Sequence, residues 1–209
     1  MFTQRLAHIA PPRLMAMTSA LCAATLPSLA QAHLGNDAGL HHGLGFAAGF
    51  VHPFSGADHL CAMLAVGLWS ALTFKGGRAW VSPLAFAMML VVGAACAMAG
   101  VHAPMVEPMI AASVLVLGLL VTARRRLPAA GGALLCMSFA WFHGAAHGAE
   151  LAAATSPAAA LAGMTLGTAA LHVVGLGLGR FLRERGSVWT LVPGTALAAW
   201  GAALLWQAT

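Results

Sequence analysis

The sequence predicts an all-α protein: a polytopic membrane helix bundle of six crossings plus a re-entrant or short N-terminal helical segment. Three observations carry this. Hydrophobic residues make up 60% of the 209 and charged residues only 7%, with mean hydropathy +0.85, too little charge to cover a soluble surface. Apolar stretches near the ~20 residues that span a bilayer follow one another with short connectors. Basic residues fall in alternate connectors, so the net charge of +5 reads as a topology determinant and not as a nucleic-acid footprint. No P-loop or other nucleotide-binding pattern is present.

Residues 1–32 read as a secretory signal peptide. Arg5 and Arg13 supply a basic start, 14–26 an apolar core, and Ala30-Gln31-Ala32 an A-x-A cleavage site. Cleavage there leaves residues 33–209 as a single transmembrane domain with an exported N-terminus beginning at His33. Residues 39–51 are short for a crossing and rich in Gly and His. A separate crossing there would invert every basic connector, so this stretch is expected to be re-entrant or steeply tilted against protein. Pro53 and Gly56 break the helix that follows it, and broken helices at membrane depth belong to cavities and transport sites.

The crossings are expected at 57–74, 79–100, 109–123, 129–149, 158–179 and 188–206. Lys75 with Arg78, Arg124-Arg125-Arg126, and Arg180 with Arg183 and Arg185 form the basic connectors; those at 102–108 and 150–157 carry no Lys or Arg. Placing the basic connectors in the cytoplasm satisfies the charge rule throughout and puts both mature termini in the periplasm of a bacterial inner membrane. The first and fourth crossings are then antiparallel, as the lead helices of a 3+3 inverted repeat must be. His-x3-Gly-Ala-Asp at 52–58 and His-x4-Gly-Ala-Glu at 143–150 hint at such a repeat. Gly45-x3-Gly49 and Gly163-x3-Gly167 are small-residue patterns that permit close helix approach.

Acidic residues number 5, and Asp58, Glu107 and Glu150 lie in or beside apolar segments, where an ionisable group is costly and points to function. His143 and His147 share one helix face with Glu150, projecting three N/O donors in one direction; such donors suit Ni, Zn, Cu and Fe. Asp58 and His59 point about 100° apart on a helix, so one is expected as a ligand and the other as its orienting partner; Asp58 could equally cap the helix. His52 approaches across the Pro53/Gly56 break. His33, His41 and His42 are further donors near the outer face. His172 is either a hydrogen-bonded core histidine or an inner transit ligand. Met63 reads as core, and the cysteines as small buried hydrophobes with no disulfide framework.

Residues 49–69, from Gly49-Phe50-Val51-His52-Pro53-Phe54-Ser55-Gly56-Ala57-Asp58-His59 onward, resemble the leading motif of the HupE/UreJ family. Phe142-His143-Gly144-Ala145-Ala146-His147-Gly148-Ala149-Glu150 resembles its second motif. The resemblance spans roughly residue 39 to the C-terminus. Cys61 stands where an aliphatic residue is more usual, and Ala145 where some relatives are polar. The family comprises hydrogenase or urease accessory proteins understood as permeases for nickel or cobalt. The resemblance therefore implies that His52, Asp58, His59, His143, His147 and Glu150 serve as metal-site residues, with Ni²⁺ or Co²⁺ as cargo and no required cofactor. The expected activity is import from periplasm to cytoplasm by a secondary permease, not an enzyme, whose partners are the metal ion and the lipid bilayer. The alternatives are an intramembrane zinc hydrolase using the same donors around an activated water, and a metal sensor or store.

Overall fold

The structure, a computed structural model, describes residues 45–208 apart from 125, 186 and 187. The signal peptide, His33, His41 and His42 lie outside the described residues. Every regular element among those described is helical: α1 (Phe46–Ser55), α2 (Ala57–Thr73), a 3₁₀ turn (Gly76–Trp80) leading into α3 (Val81–Met98), α4 (Val106–Thr122), α5 (Ala129–Ala152), α6 (Pro157–Arg183) and α7 (Val188–Gln207). The boundaries of α2 to α7 follow the apolar stretches closely. The main difference is α6, which continues past Gly179 to take Arg180 and Arg183 into its last turn, where the carbonyl end of the helix favours cations.

Four stretches are long and apolar enough to cross a membrane: Gly76–Met98, Ala129–Gly148, Pro157–Arg183 and Val188–Gln207. Two more, α2 and α4, are apolar but shorter at 17 residues each. The outward faces carry Leu84, Met88, Val92, Leu134, Leu166, Val174 and Leu178, all exposed, as a bundle dissolved in hydrocarbon requires.

The helices are paired by glycines that bring backbones together. On α3 and α5, Gly93 abuts the Trp141 backbone and Gly144 the backbone of Leu90 and Ala94. On α2 and α6, Gly67 meets the His172 carbonyl and Gly175 the Leu64 carbonyl. On α4 and α7, Gly118 meets Ala198 and Gly201 meets Leu115. Further along, Gly148 meets Ala94 and Ala97, and Gly179 meets Leu68 and Ala71, so residue numbers rise together in the first two pairs and oppose in the third: α2 and α6 are parallel, α3 and α5 are parallel, and α4 and α7 are antiparallel. Exchanging α2, α3 and α4 for α5, α6 and α7 maps these pairings onto one another, the pattern of a 3+3 inverted arrangement. The two short motifs are not its equivalents, however. Asp58 opens α2, whereas Glu150 lies near the end of α5.

The N-terminal segment is a short helix, and the chain does not reverse after it. Gly49 abuts Ala160, Gly163 abuts Phe46, and Gly167 abuts Phe50, so α1 runs along the first half of α6 in the same sense as α2 runs along the second. Gly49, Gly163 and Gly167 make this contact; Gly45 has nothing near it. Between α1 and α2 only Gly56 is extended (φ −92°, ψ 119°). In the last turn of α1 the Ser55 hydroxyl donates to the His52 carbonyl at 2.6 Å. One discontinuous helix thus places its gap beside the two motif regions.

The three basic connectors gather at the opposite end of α2. Arg183 donates to the carbonyls of Ala71 (2.9 Å) and Phe74 (3.1 Å), and Leu72, Arg124, Arg126 and Arg183 line one recess.

A methyl at Gly163 has to displace the Phe46 backbone, whereas Gly177 faces open space. We expect Gly163→Ala to cost about 1–3 kcal/mol, read as a lowered melting temperature in detergent. Gly177→Ala should leave melting unchanged or raise it slightly. Equal behaviour of the two variants would argue against the α1–α6 seat.

Candidate metal centre

The break and the end of α5 meet. His52 sits in the last turn of α1, Asp58 and His59 in the first turn of α2, and His143, His147 and Glu150 on one face of α5. Residues 95 positions apart in sequence touch: His52 Nε2 lies 3.0 Å from His147 Nδ1. His147 Nε2 lies 2.8 Å from His59 Nε2. Glu150 Oε2 is 3.4 Å from His147 Nδ1 and 4.0 Å from His52 Nε2.

Donors on one metal ion with bonds of about 2.0–2.2 Å stand roughly 3–4 Å apart. His52, His147 and Glu150 meet that condition, their donor atoms lying 3.0, 3.4 and 4.0 Å from one another. They line a small recess with Gly49, Leu151 and Met164. The α1 carbonyl end closes beside it, a location that favours positive charge. Exposure falls inward: 40% for the Glu150 side chain, 31% for His52 and 4% for His147.

The six sequence-predicted residues do not converge on one point. His147 faces two ways, with Nδ1 toward His52 and Glu150 and Nε2 toward His59. Asp58 stands behind His59: its Oδ1 accepts from the His59 ring Nδ1 at 2.9 Å and from the His59 amide at 2.8 Å. It does not cap α2, whose N-cap is Gly56. A carboxylate accepts only, so His59 carries its proton on Nδ1 and turns the Nε2 lone pair toward His147.

His143 is fully buried one layer further in, its ring edge-on to His59 with centroids 4.7 Å apart. Its Nε2 is 3.0 Å from Ser113 Oγ on α4, and that hydroxyl already donates to the Ile110 carbonyl at 2.6 Å. Ser113 can therefore only accept, which puts the His143 proton on Nε2 and leaves Nδ1 as a buried lone pair with no partner among the described residues.

Sequence reasoning missed Ser113, Phe86 and Met164. Ser113 was visible as a lone hydroxyl in an apolar helix. Phe86, whose ring centroid lies 5.4 Å from that of His143, and Met164 carry no mark that separates them from core residues. Met63 is core, as expected; its carbonyl, not its thioether, is used, by His172. Cys61, Cys96 and Cys136 are free thiols. His102 and Glu107 are exposed at the end of the bundle where α4 begins, and no described contact brings them into the cluster.

These features define a class: a polytopic helical membrane protein with a histidine–carboxylate cluster set in its interior at a helix break. The chain belongs to the HupE / UreJ protein family, whose family model matches residues 21–204. It is similar to Protein HupE of Rhizobium leguminosarum bv. viciae, with 40% identity over 190 residues that cover 90% of this chain and 96% of that one. No solved structure matches it.

Ser113→Ala removes the acceptor for a buried imidazole N–H. Leaving that group unsatisfied costs about 1–3 kcal/mol, so we expect a lower melting temperature in detergent. An unchanged melting temperature would show that His143 is held by something else.

Proposed function

We propose that this protein is a secondary permease of the bacterial inner membrane, carrying Ni²⁺, or Co²⁺ by the same chemistry, from periplasm to cytoplasm for hydrogenase or urease maturation. The observation that carries the reading is the contact between the two motifs: imidazoles and a carboxylate from separate helices meet in the interior at a break, with exposure falling along them. Such donors replace the water shell of a borderline divalent ion. The capture set is His52, His147 through Nδ1, and Glu150. His59, oriented by Asp58, receives the ion next from the other nitrogen of His147 as that ring moves its proton from Nε2 to Nδ1, and His143 lies behind it. One imidazole with a donor atom in each of two adjoining sets provides a short transfer step. Ligands that shed protons as the metal arrives keep the ion from being trapped.

Membership of the HupE / UreJ family and the likeness to Protein HupE support the reading. A crossing count of six rests on the alternating connectors, with α1 and α2 together making the first crossing at 10 and 17 residues. The gathering of Arg124, Arg126 and Arg183 in one recess supports a single cytoplasmic end.

Two experiments test this. Labelling of Arg126→Cys should proceed only from the cytoplasm, and of Met105→Cys only from the periplasm. Labelling of residue 126 from outside would overturn the orientation. In cells lacking other nickel importers, His59→Ala and His147→Ala should each reduce nickel uptake at least tenfold with the protein still in the membrane. The double variant should be no worse than either single one, since the two rings act as a unit. Uptake that persists in both single variants would remove the permease reading and favour the hydrolase alternative.

A further inference from the structure

His172 sits in the middle of α6, outside both motifs, and is 2% exposed. Its ring Nδ1 lies 3.1 Å from the Met63 carbonyl on α2. Gly67 allows this approach, because its missing side chain leaves room for the backbone of α6 at His172 and Gly175. A carbonyl only accepts, so the proton is on Nδ1 and Nε2 presents a lone pair to the interior. No group among the described residues satisfies it. An imidazole whose N–H is tied to a backbone carbonyl while the other nitrogen stays bare is the arrangement in which proteins hold a metal-ligating histidine. Leaving such an acceptor buried and unused is costly in an apolar bundle.

Two further observations place this atom on a route. The Phe86 ring touches both inner imidazoles, with centroids 5.4 Å from His143 and 5.2 Å from His172; His143 also presents a bare nitrogen. Thr168, one turn before His172 on the same face of α6, is fully buried, and its hydroxyl is unsatisfied too. Beyond the motif cluster, then, the bare His172 nitrogen lies further along α2 toward its basic end, with the Thr168 hydroxyl one turn back toward the helix break.

We infer that His172, through Nε2 and assisted by the Thr168 hydroxyl, is an inner coordination station for the transported divalent transition-metal ion, separated from His143 by the Phe86 ring. The inference rests on the permease reading. In that scheme the ion leaves the His59/His143 level, passes the edge of the Phe86 ring and is received by the bare His172 nitrogen before release at the basic end.

The test compares two substitutions with a control in the same nickel-uptake assay, alongside Ni²⁺ binding by the purified protein. In His172→Asn the amide N–H₂ replaces Nδ1–H as donor to the Met63 carbonyl but supplies no ring nitrogen. His172→Leu removes both functions. If His172 is a station, both variants insert normally, still bind Ni²⁺ at the outer cluster, and lose uptake at least tenfold. If the residue only ties α6 to α2, His172→Asn transports like the unaltered protein and the inference is overturned. Should neither variant insert, Thr168→Val, which breaks no hydrogen bond seen in the structure, decides. A severalfold loss of uptake supports the station, and unaltered uptake removes it. His147→Ala separates this outcome from failure of the wider reading. Loss of uptake there with normal uptake in the His172 variants defeats the inner station alone, while normal uptake in all of them defeats the permease itself.

Discussion

An imidazole inside an apolar bundle is tolerated only when its N–H finds an acceptor, and that requirement ties this structure together. The acceptors come from other helices or, for His59, from its neighbour in the chain. Asp58 serves His59, Ser113 of α4 serves His143 of α5, and the Met63 carbonyl of α2 serves His172 of α6. His52 of α1 and His59 of α2 close on His147 from its two sides. Each partner also decides which nitrogen is left bare. The polar network thus holds the helices in place and at the same time aims a succession of lone pairs along the interior.

Such short side-chain links need close backbones, and glycine supplies them. The α2–α6 and α3–α5 pairs approach through Gly67, Gly175, Gly93 and Gly144, and α1 reaches α6 through Gly49 and Gly163. In lipid, helix association depends on close packing and interhelical hydrogen bonds, because burying apolar surface gains little there. The glycines and histidines are therefore two parts of one solution. Removing the close approach at Gly67 would also remove the Met63 carbonyl from the reach of His172.

The broken helix answers a different demand. A continuous helix through 46–73 would have satisfied every backbone group and offered none of them to a cation. Interrupting it at Gly56 directs the carbonyl end of α1 toward the cluster, where the Ser55 hydroxyl donates to the His52 carbonyl. The break leaves the first amides of α2 without helical acceptors, and Asp58 Oδ1 takes the one on His59.

The sequence by itself determined the helical membrane class, the placement of α2 to α7 and the identity of the residues at the cluster. Hydropathy, connector charge and His/carboxylate spacing are local properties that survive without knowledge of neighbours. It also marked Gly56 as a break, since glycine acts on its own backbone; Pro53, marked with it, instead lies within α1, which continues past it to Ser55. Only the tertiary structure decided that α1 continues in the direction of α2, because that depends on which face of α6 receives Gly49. The same is true of the division of the six residues into layers. His147 has one nitrogen for each layer, and which neighbour meets which nitrogen is set by three helices at once. Ser113, Phe86 and His172 gain their meaning only from partners 30 or more positions away. Spacing along a chain reports what lies on one helix face, and a site assembled between helices is a property of their packing.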